Sequence, residues 1–196
     1  RSGDIIYIDA GTYSETVVID TNNLSLIGAD SWLTIIDPPG DSSTTTLYGI
    51  YADTQTNLTI RNLRITRCYY GINFYNVNNS LIDNITADWC GNAFTSAAGI
   101  YLQNNSCTNT VRNCYAYKNN YGIYLNSNSN ANTISGNTAY SNTLYGIYLK
   151  SSSNNNTISG NTANSNSSYG ITLGTSSNTN TISGNTANQN GWSGFN

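Results

Sequence analysis

The chain has 196 residues, only 9% of them charged, with a formal net charge of −3 and no His or Met. Without His, imidazole-based triad or acid-base catalysis is excluded, and four oddly spaced Cys make neither a disulfide scaffold nor a zinc site, so no metal and no cofactor are expected. Ten acids and four bases lie at or before Asp88 and three bases with no acid lie beyond it, which leaves no clustered positive charge for nucleic acid, and no apolar run is long enough to cross a membrane.

Residues 1–48 read as irregular opening coils. Apolar stretches of strand length fall at 4–8, 16–19, 24–28 and 33–37, with a turn at Gly11-Thr12-Tyr13. Arg1-Ser2-Gly3-Asp4 reads as the cut end of a longer chain, and no export signal is present. Residues 49–196 are regular: a Gly-apolar pair recurs at Gly49-Ile50, Gly71-Ile72, Gly99-Ile100, Gly122-Ile123, Gly146-Ile147, Gly170-Ile171 and Gly194-Phe195, in steps of 22, 28, 23, 24, 24 and 24. The phrase Thr-Ile-Ser-Gly-Asn-Thr-Ala at 133–139 returns at 157–163 and 181–187. Repeats this short stack as a solenoid, which remains one domain, 1–196, because each unit touches only its neighbours.

Within the unit that starts at Gly122, inward Ile123 and Leu125 alternate with outward Tyr124, as in a strand with one buried face. A polar Asn and Ser turn follows, Ile134 opens a second short strand, Asn137 and Ala139 point in, and 140–144 leads back to Gly146. The expected fold is all-β: a single-stranded parallel β-helix of about eight coils, 22–24 residues each, whose equivalent residues stack in columns about 4.8 Å apart. One inward ladder is Ile50, Ile72, Ile100, Ile123, Ile147, Ile171 and Phe195; a second is Ile60, Ile82, Val111, Ile134, Ile158 and Ile182. A narrow third is Ala87, Ala116, Ala139, Ala163 and Ala187, in the column of Ile65. Asn137, Asn161 and Asn185 take the column that holds Leu63, Ile85 and Cys114 earlier, so they are expected to be buried and bonded to each other and to the turn backbone.

The run GDIIYIDAGTYSETVVID at 3–20, followed by NLSLIGADSWLTIID at 23–37, is similar to the first coils of the pectin-lyase-like right-handed β-helix superfamily. The later YGIYL and NNNTISGNTA phrases resemble the repeats of NosD-like proteins and of archaeal and bacterial surface proteins. The resemblance implies right-handed winding. It leaves activity open, since the superfamily holds lyases, hydrolases, esterases, epimerases, adhesins and catalytically silent modules. The copper role implied by the NosD likeness has no His or Met ligands here.

Beside the Gly-Ile strands, Tyr48, Tyr70, Tyr121, Tyr145 and Tyr169 precede glycines, and Tyr51, Tyr101, Tyr124 and Tyr148 follow isoleucines. These nine are the candidate carbohydrate-binding residues, because aromatic faces with hydroxyl edges suit pyranose rings. Cross-strand stacking that stabilises parallel strands explains the same stripe. Arg61, Asp83 and Arg112 share an outward column, and Arg67 falls beneath Trp89. Together with Arg64 and Asp88 they read either as a site for an acidic sugar, with arginine as clamp and a carboxylate or arginine as base, or as a salt-bridge ladder with an Arg67-Trp89 cation-π contact. No catalytic residue is assigned; Arg64, Asp83 and Asp88 are the candidates, and Asp37, Asp41 and Asp53 are further acids available in the front half. The 28-residue step places an insertion at residues 91–98, either a binding loop or a tolerated bulge. Cys68 and Cys90 share a column within disulfide reach and read as two buried thiols, while Cys107 and Cys114 read as packing residues.

These readings describe a non-catalytic extracellular or cell-surface module, structural or carbohydrate-binding through its tyrosine stripe, whose partner is a polysaccharide or cell-envelope glycan. One alternative is a polysaccharide-active lyase or hydrolase using the Arg61 to Asp88 region. Another is a building block of a surface layer or filament that self-associates through an open end coil.

Overall fold

The structure, a computed structural model, describes residues 1–40, 47–91 and 96–196, so Asp41 and residues 92–95 of the expected insertion lie outside the described residues. Among the described residues every element is a strand or turn, and strands of successive coils pair in parallel in two sheets of thirteen and eight strands. The thirteen-stranded sheet bends through a corner: Thr59–Thr66 and Leu81–Asp88 run across it at Asn62 and Asn84. Later coils break there into separate short strands such as Thr133–Ser135 and Thr138–Tyr140. Three faces result. The first carries Thr110–Arg112 and Thr133–Ser135, the second Tyr115–Tyr117 and Thr138–Tyr140, and the third is the eight-stranded sheet with Tyr121–Leu125.

Register follows the columns read from the repeat: Ile123 pairs with Ile100 and Ile147, Ile134 with Val111 and Ile158, and Ala139 with Ala116 and Ala163. All nine side chains are completely buried. The glycine column has a steric cause. A Cβ on Gly49, Gly71, Gly99, Gly122, Gly146 or Gly170 would lie 2.3 to 2.9 Å from the carbonyl oxygen of the next coil's glycine, so the coils approach too closely there for any side chain.

Corners are made by left-handed residues. Asn62, Asn84, Asn113, Gly136, Gly160 and Gly184 form one such column, and Arg67, Trp89, Lys118, Ser141, Ser165 and Gln189 another, with φ between 53° and 56° in the second. The left-handed residue throws its own side chain outward and lets the next residue turn into the core. That next residue is the ladder position. Three Asn ladders line the interior instead of the one expected: Asn109, Asn132, Asn156 and Asn180; Asn137, Asn161 and Asn185; and Asn119, Asn142, Asn166 and Asn190. In each step the Oδ1 of one Asn accepts the backbone N–H of the Asn below, at 2.7 to 3.0 Å. Its Nδ2 donates to a buried carbonyl, as Asn137 does to Val111 at 2.9 Å. The corner amides are thereby satisfied without water. Front coils instead fill these positions with Leu58, Leu63, Ile85, Cys68 and Cys90, so the core changes from apolar to amide along the rod. At the outer coils the apolar columns are uncovered, with Ile6 45%, Ile182 37% and Phe195 49% exposed.

Candidate functional site

A groove of about 1290 Å³ runs along the second face and its corner with the third. The outward positions of the strands supply Arg64 and Thr66, and the left-handed corner column supplies Arg67, Trp89 and Lys118, one per coil, so three functional side chains project along a single rim. Asp37 and Gly40 close one side, and Asn120, Ser141, Thr143 and Leu144 extend the lining along the rod.

Two ion pairs organise the floor. Arg64 holds Asp88 bidentately, Nη2 to Oδ2 at 2.6 Å and Nε to Oδ1 at 3.3 Å, and its guanidinium lies 5.9 Å from the Trp32 ring centroid. Arg67 binds both oxygens of Asp37. Both carboxylates are nearly buried, so they orient the guanidinium groups and have no free lone-pair face for a substrate. Among the described residues Lys118 has no carboxylate partner: its Nζ stands 4.4 Å from the Trp89 ring centroid and 4.9 Å from Tyr117. Among the described residues the groove and its floor thus gather three cations against two carboxylates, in a chain of net charge −3.

The candidate catalytic set is split. Arg64 and Asp88 meet, but Asp83 sits on the first face across the Asn84 corner, where Arg112 Nη2 donates to it at 3.2 Å and Asn113 Nδ2 at 3.0 Å. Burial pushes the Asp83 carboxyl up, but hydrogen bonds from Arg112 and Asn113, with the charges of Arg112 and Arg61, outweigh it and hold the carboxyl below its usual value. A cleft shared by Arg64, Asp83 and Asp88 does not form. Arg61, Asp83 and Arg112 do share one column, as the repeat indicated. The cation over Trp89 is Lys118 rather than Arg67, which turns to Asp37 instead. Lys118 was missed because the 28-residue step hides its column: it follows Trp89 by 29 positions, and its signal is the corner residue immediately before ladder Asn119.

The tyrosine stripe is on the third face, and its rings stack on one another. Tyr48, Tyr70, Tyr101, Tyr124 and Tyr148 form a continuous column with centroid distances of 5.9, 5.0, 4.8 and 5.1 Å. Tyr51 stacks on Tyr48, and Tyr121, Tyr145 and Tyr169 pack alongside. Tyr101 and Tyr124, expected to face outward into solvent, are 4% and 5% exposed. They do leave the strand on its outer side, but neighbouring rings bury them, so the faces a sugar would use are already occupied. Burial pushes the phenols of Tyr70, Tyr101 and Tyr124 up, and those of Tyr51 and Tyr121 up to about 12.

Residues 26–195 match the family described as the right-handed β-helix region. The chain belongs to the right-handed β-helix family. Similar solved structures include ORF18 of Geobacillus virus E2, 12% identical with a TM-score of 0.70 over 95% of this chain and 52% of that one. An alginate lyase from Paenibacillus sp. str. FPU-7 is 14% identical, TM-score 0.62, over 100% of this chain and 91% of that one. The periplasmic alginate epimerase AlgG is 18% identical, TM-score 0.63, over 100% and 47%. At these identities the likeness is one of fold, and this β-helix spans about half the length of the viral and epimerase chains. Comparison with curated proteins gives no match. No helix of the β-helix is long and apolar enough to cross a membrane, and no metal-binding group of three or more His, Cys, Asp or Glu occurs among the described residues.

Proposed function

We propose that this β-helix is a non-catalytic extracellular or cell-surface module that binds an acidic polysaccharide in the second-face groove. The observation that carries the reading is the rim of Arg67, Trp89 and Lys118 above Arg64: an indole for the apolar face of a sugar, beside cations for its carboxylate. Non-catalytic action is supported by the commitment of Asp37 and Asp88 to arginines, since glycoside hydrolysis needs two carboxyls free to face the bond. Two fold neighbours, an alginate lyase and a periplasmic alginate epimerase, agree with a polyuronate ligand and an exported setting. The tyrosine stripe then acts as a stiffening spine on the adjoining third face.

Affinity electrophoresis in gels containing a polyuronate or a neutral glucan tests the reading. Retardation is expected in the polyuronate alone, and Lys118→Ala is expected to weaken it about tenfold, the loss of one charge-assisted contact. Equal retardation in both gels, or loss on Tyr145→Ala rather than Lys118→Ala, would move the site to the stripe. Accumulation of unsaturated uronate ends or reducing ends in the same incubation would replace binding with lyase or hydrolase activity.

A further inference from the structure

Directly behind the groove rim, one Asn ladder is interrupted by sulfur. The inward residues of successive coils in this column are Cys68, Cys90, Asn119, Asn142, Asn166 and Asn190, each preceded by the left-handed corner residue that supplies the rim. Asn119 Oδ1 accepts the Cys90 N–H at 2.9 Å as Asn142 accepts that of Asn119, so the cysteines occupy true ladder positions. Cys68 and Cys90 are completely buried, and their Sγ atoms are 3.1 Å apart. Adjacent parallel strands are about 4.8 Å apart, within the Cα separation of about 4.4–6.8 Å that disulfides span. The other two cysteines contact no sulfur: Cys107 Sγ donates to the Asn128 carbonyl and Cys114 Sγ to that of Arg112.

We infer that Cys68 and Cys90 are a redox pair that closes to a disulfide and ties together the two coils bearing Arg67 and Trp89. The electron acceptor is a disulfide, either a small molecule such as oxidised glutathione or the active-site disulfide of a thiol oxidoreductase. One cysteine, as thiolate, attacks a donor sulfur, forms a mixed disulfide and releases one donor thiolate. The second cysteine attacks the mixed disulfide at its own partner's sulfur and releases the other. The protein loses two protons and two electrons, and the donor gains them as two thiols. Burial pushes the Cys68 thiol well up, so exchange proceeds before the coils close or when the corner opens, and the folded pair is otherwise inert. The pairing does not depend on what the groove binds.

The full chain, refolded with excess oxidised glutathione or with reductant, is denatured, alkylated with N-ethylmaleimide and weighed intact. Oxidative refolding is expected to give two labels, on Cys107 and Cys114, and a peptide crosslinked through Cys68 and Cys90, with an unchanged β-type circular dichroism spectrum; reductive refolding gives four labels. Four labels after oxidative refolding, or a crosslink through Cys107 or Cys114, overturns the inference. The unfolding midpoint should rise on oxidation in the wild type and stay constant in the Cys68→Ala/Cys90→Ala double variant. Equal shifts in both also overturn it.

Discussion

Replacing Asn161 by Ala tests the account of the core at its most specific point. Its Oδ1 accepts both the backbone N–H and Nδ2 of Asn137 at 2.9 Å, and its Nδ2 donates to the Ile134 carbonyl at 2.8 Å and to Asn185 Oδ1 at 2.9 Å. In Asn161→Ala, Asn137 Nδ2 keeps the Val111 carbonyl and Asn185 Oδ1 keeps the backbone N–H of residue 161. The Asn137 N–H loses its acceptor, and the Ile134 carbonyl loses its amide donor, in a site 1% exposed. Two such groups at roughly 1–3 kcal/mol each, with the void left by the amide, give about 3–5 kcal/mol of destabilisation. Solenoids open locally as well as globally, so the assay is hydrogen exchange followed by mass spectrometry. Amides within 133–139 and 157–163 are expected to exchange about 10²–10⁴-fold faster, with residues 5–28 little changed. A change below about 0.5 kcal/mol, or a uniform rise along the chain, would refute the claim that the ladder amide is satisfied only by its neighbours.

The tyrosine column and the charged column give two further outcomes. Tyr124→Phe keeps the rings at 4.8 and 5.1 Å and removes a hydroxyl that bonds no side chain among the described residues, so its urea midpoint should stay within about 0.5 kcal/mol of wild type, whereas Tyr124→Ala should lose about 3–5 kcal/mol. Because folding depresses the Asp83 pKa, its stabilisation is full above the model-peptide value of 3.8 and is lost as pH falls through the folded value. The wild-type urea midpoint should therefore drop between about pH 5 and pH 3, less steeply in Asp83→Asn. The effect is modest because the Arg112 side chain is 47% exposed, and identical slopes would contradict the pairing.

The inward columns were legible because a parallel coil returns each inward side chain to the same place, so Ile123 over Ile100 and Asn161 over Asn137 follow from period alone. The two further Asn ladders carry the same 24-residue signal at Asn132, Asn156 and Asn180 and at Asn142, Asn166 and Asn190. They are less visible because the residue before them varies, whereas the column of Asn137 is marked by a preceding Gly from coil to coil. Outward residues were harder to place. Alternation puts Tyr101 and Tyr124 on the outer side of the strand, yet whether such a ring meets solvent depends on how its neighbours lean, and here each ring covers the next.

The coil period, the register and the apolar ladders are thus properties of a repeat and its hydrophobic phase, whereas right-handed winding follows from the likeness to pectin-lyase-like coils. Which surface groups converge is set by the wound rod. Asp37 reaches Arg67 across 30 residues, Lys118 lies over Trp89, and Asp83 is turned away from Asp88 by the left-handed Asn84 between them. Long polar side chains choose partners by distance across coils and around corners, and that distance exists only once the rod is wound.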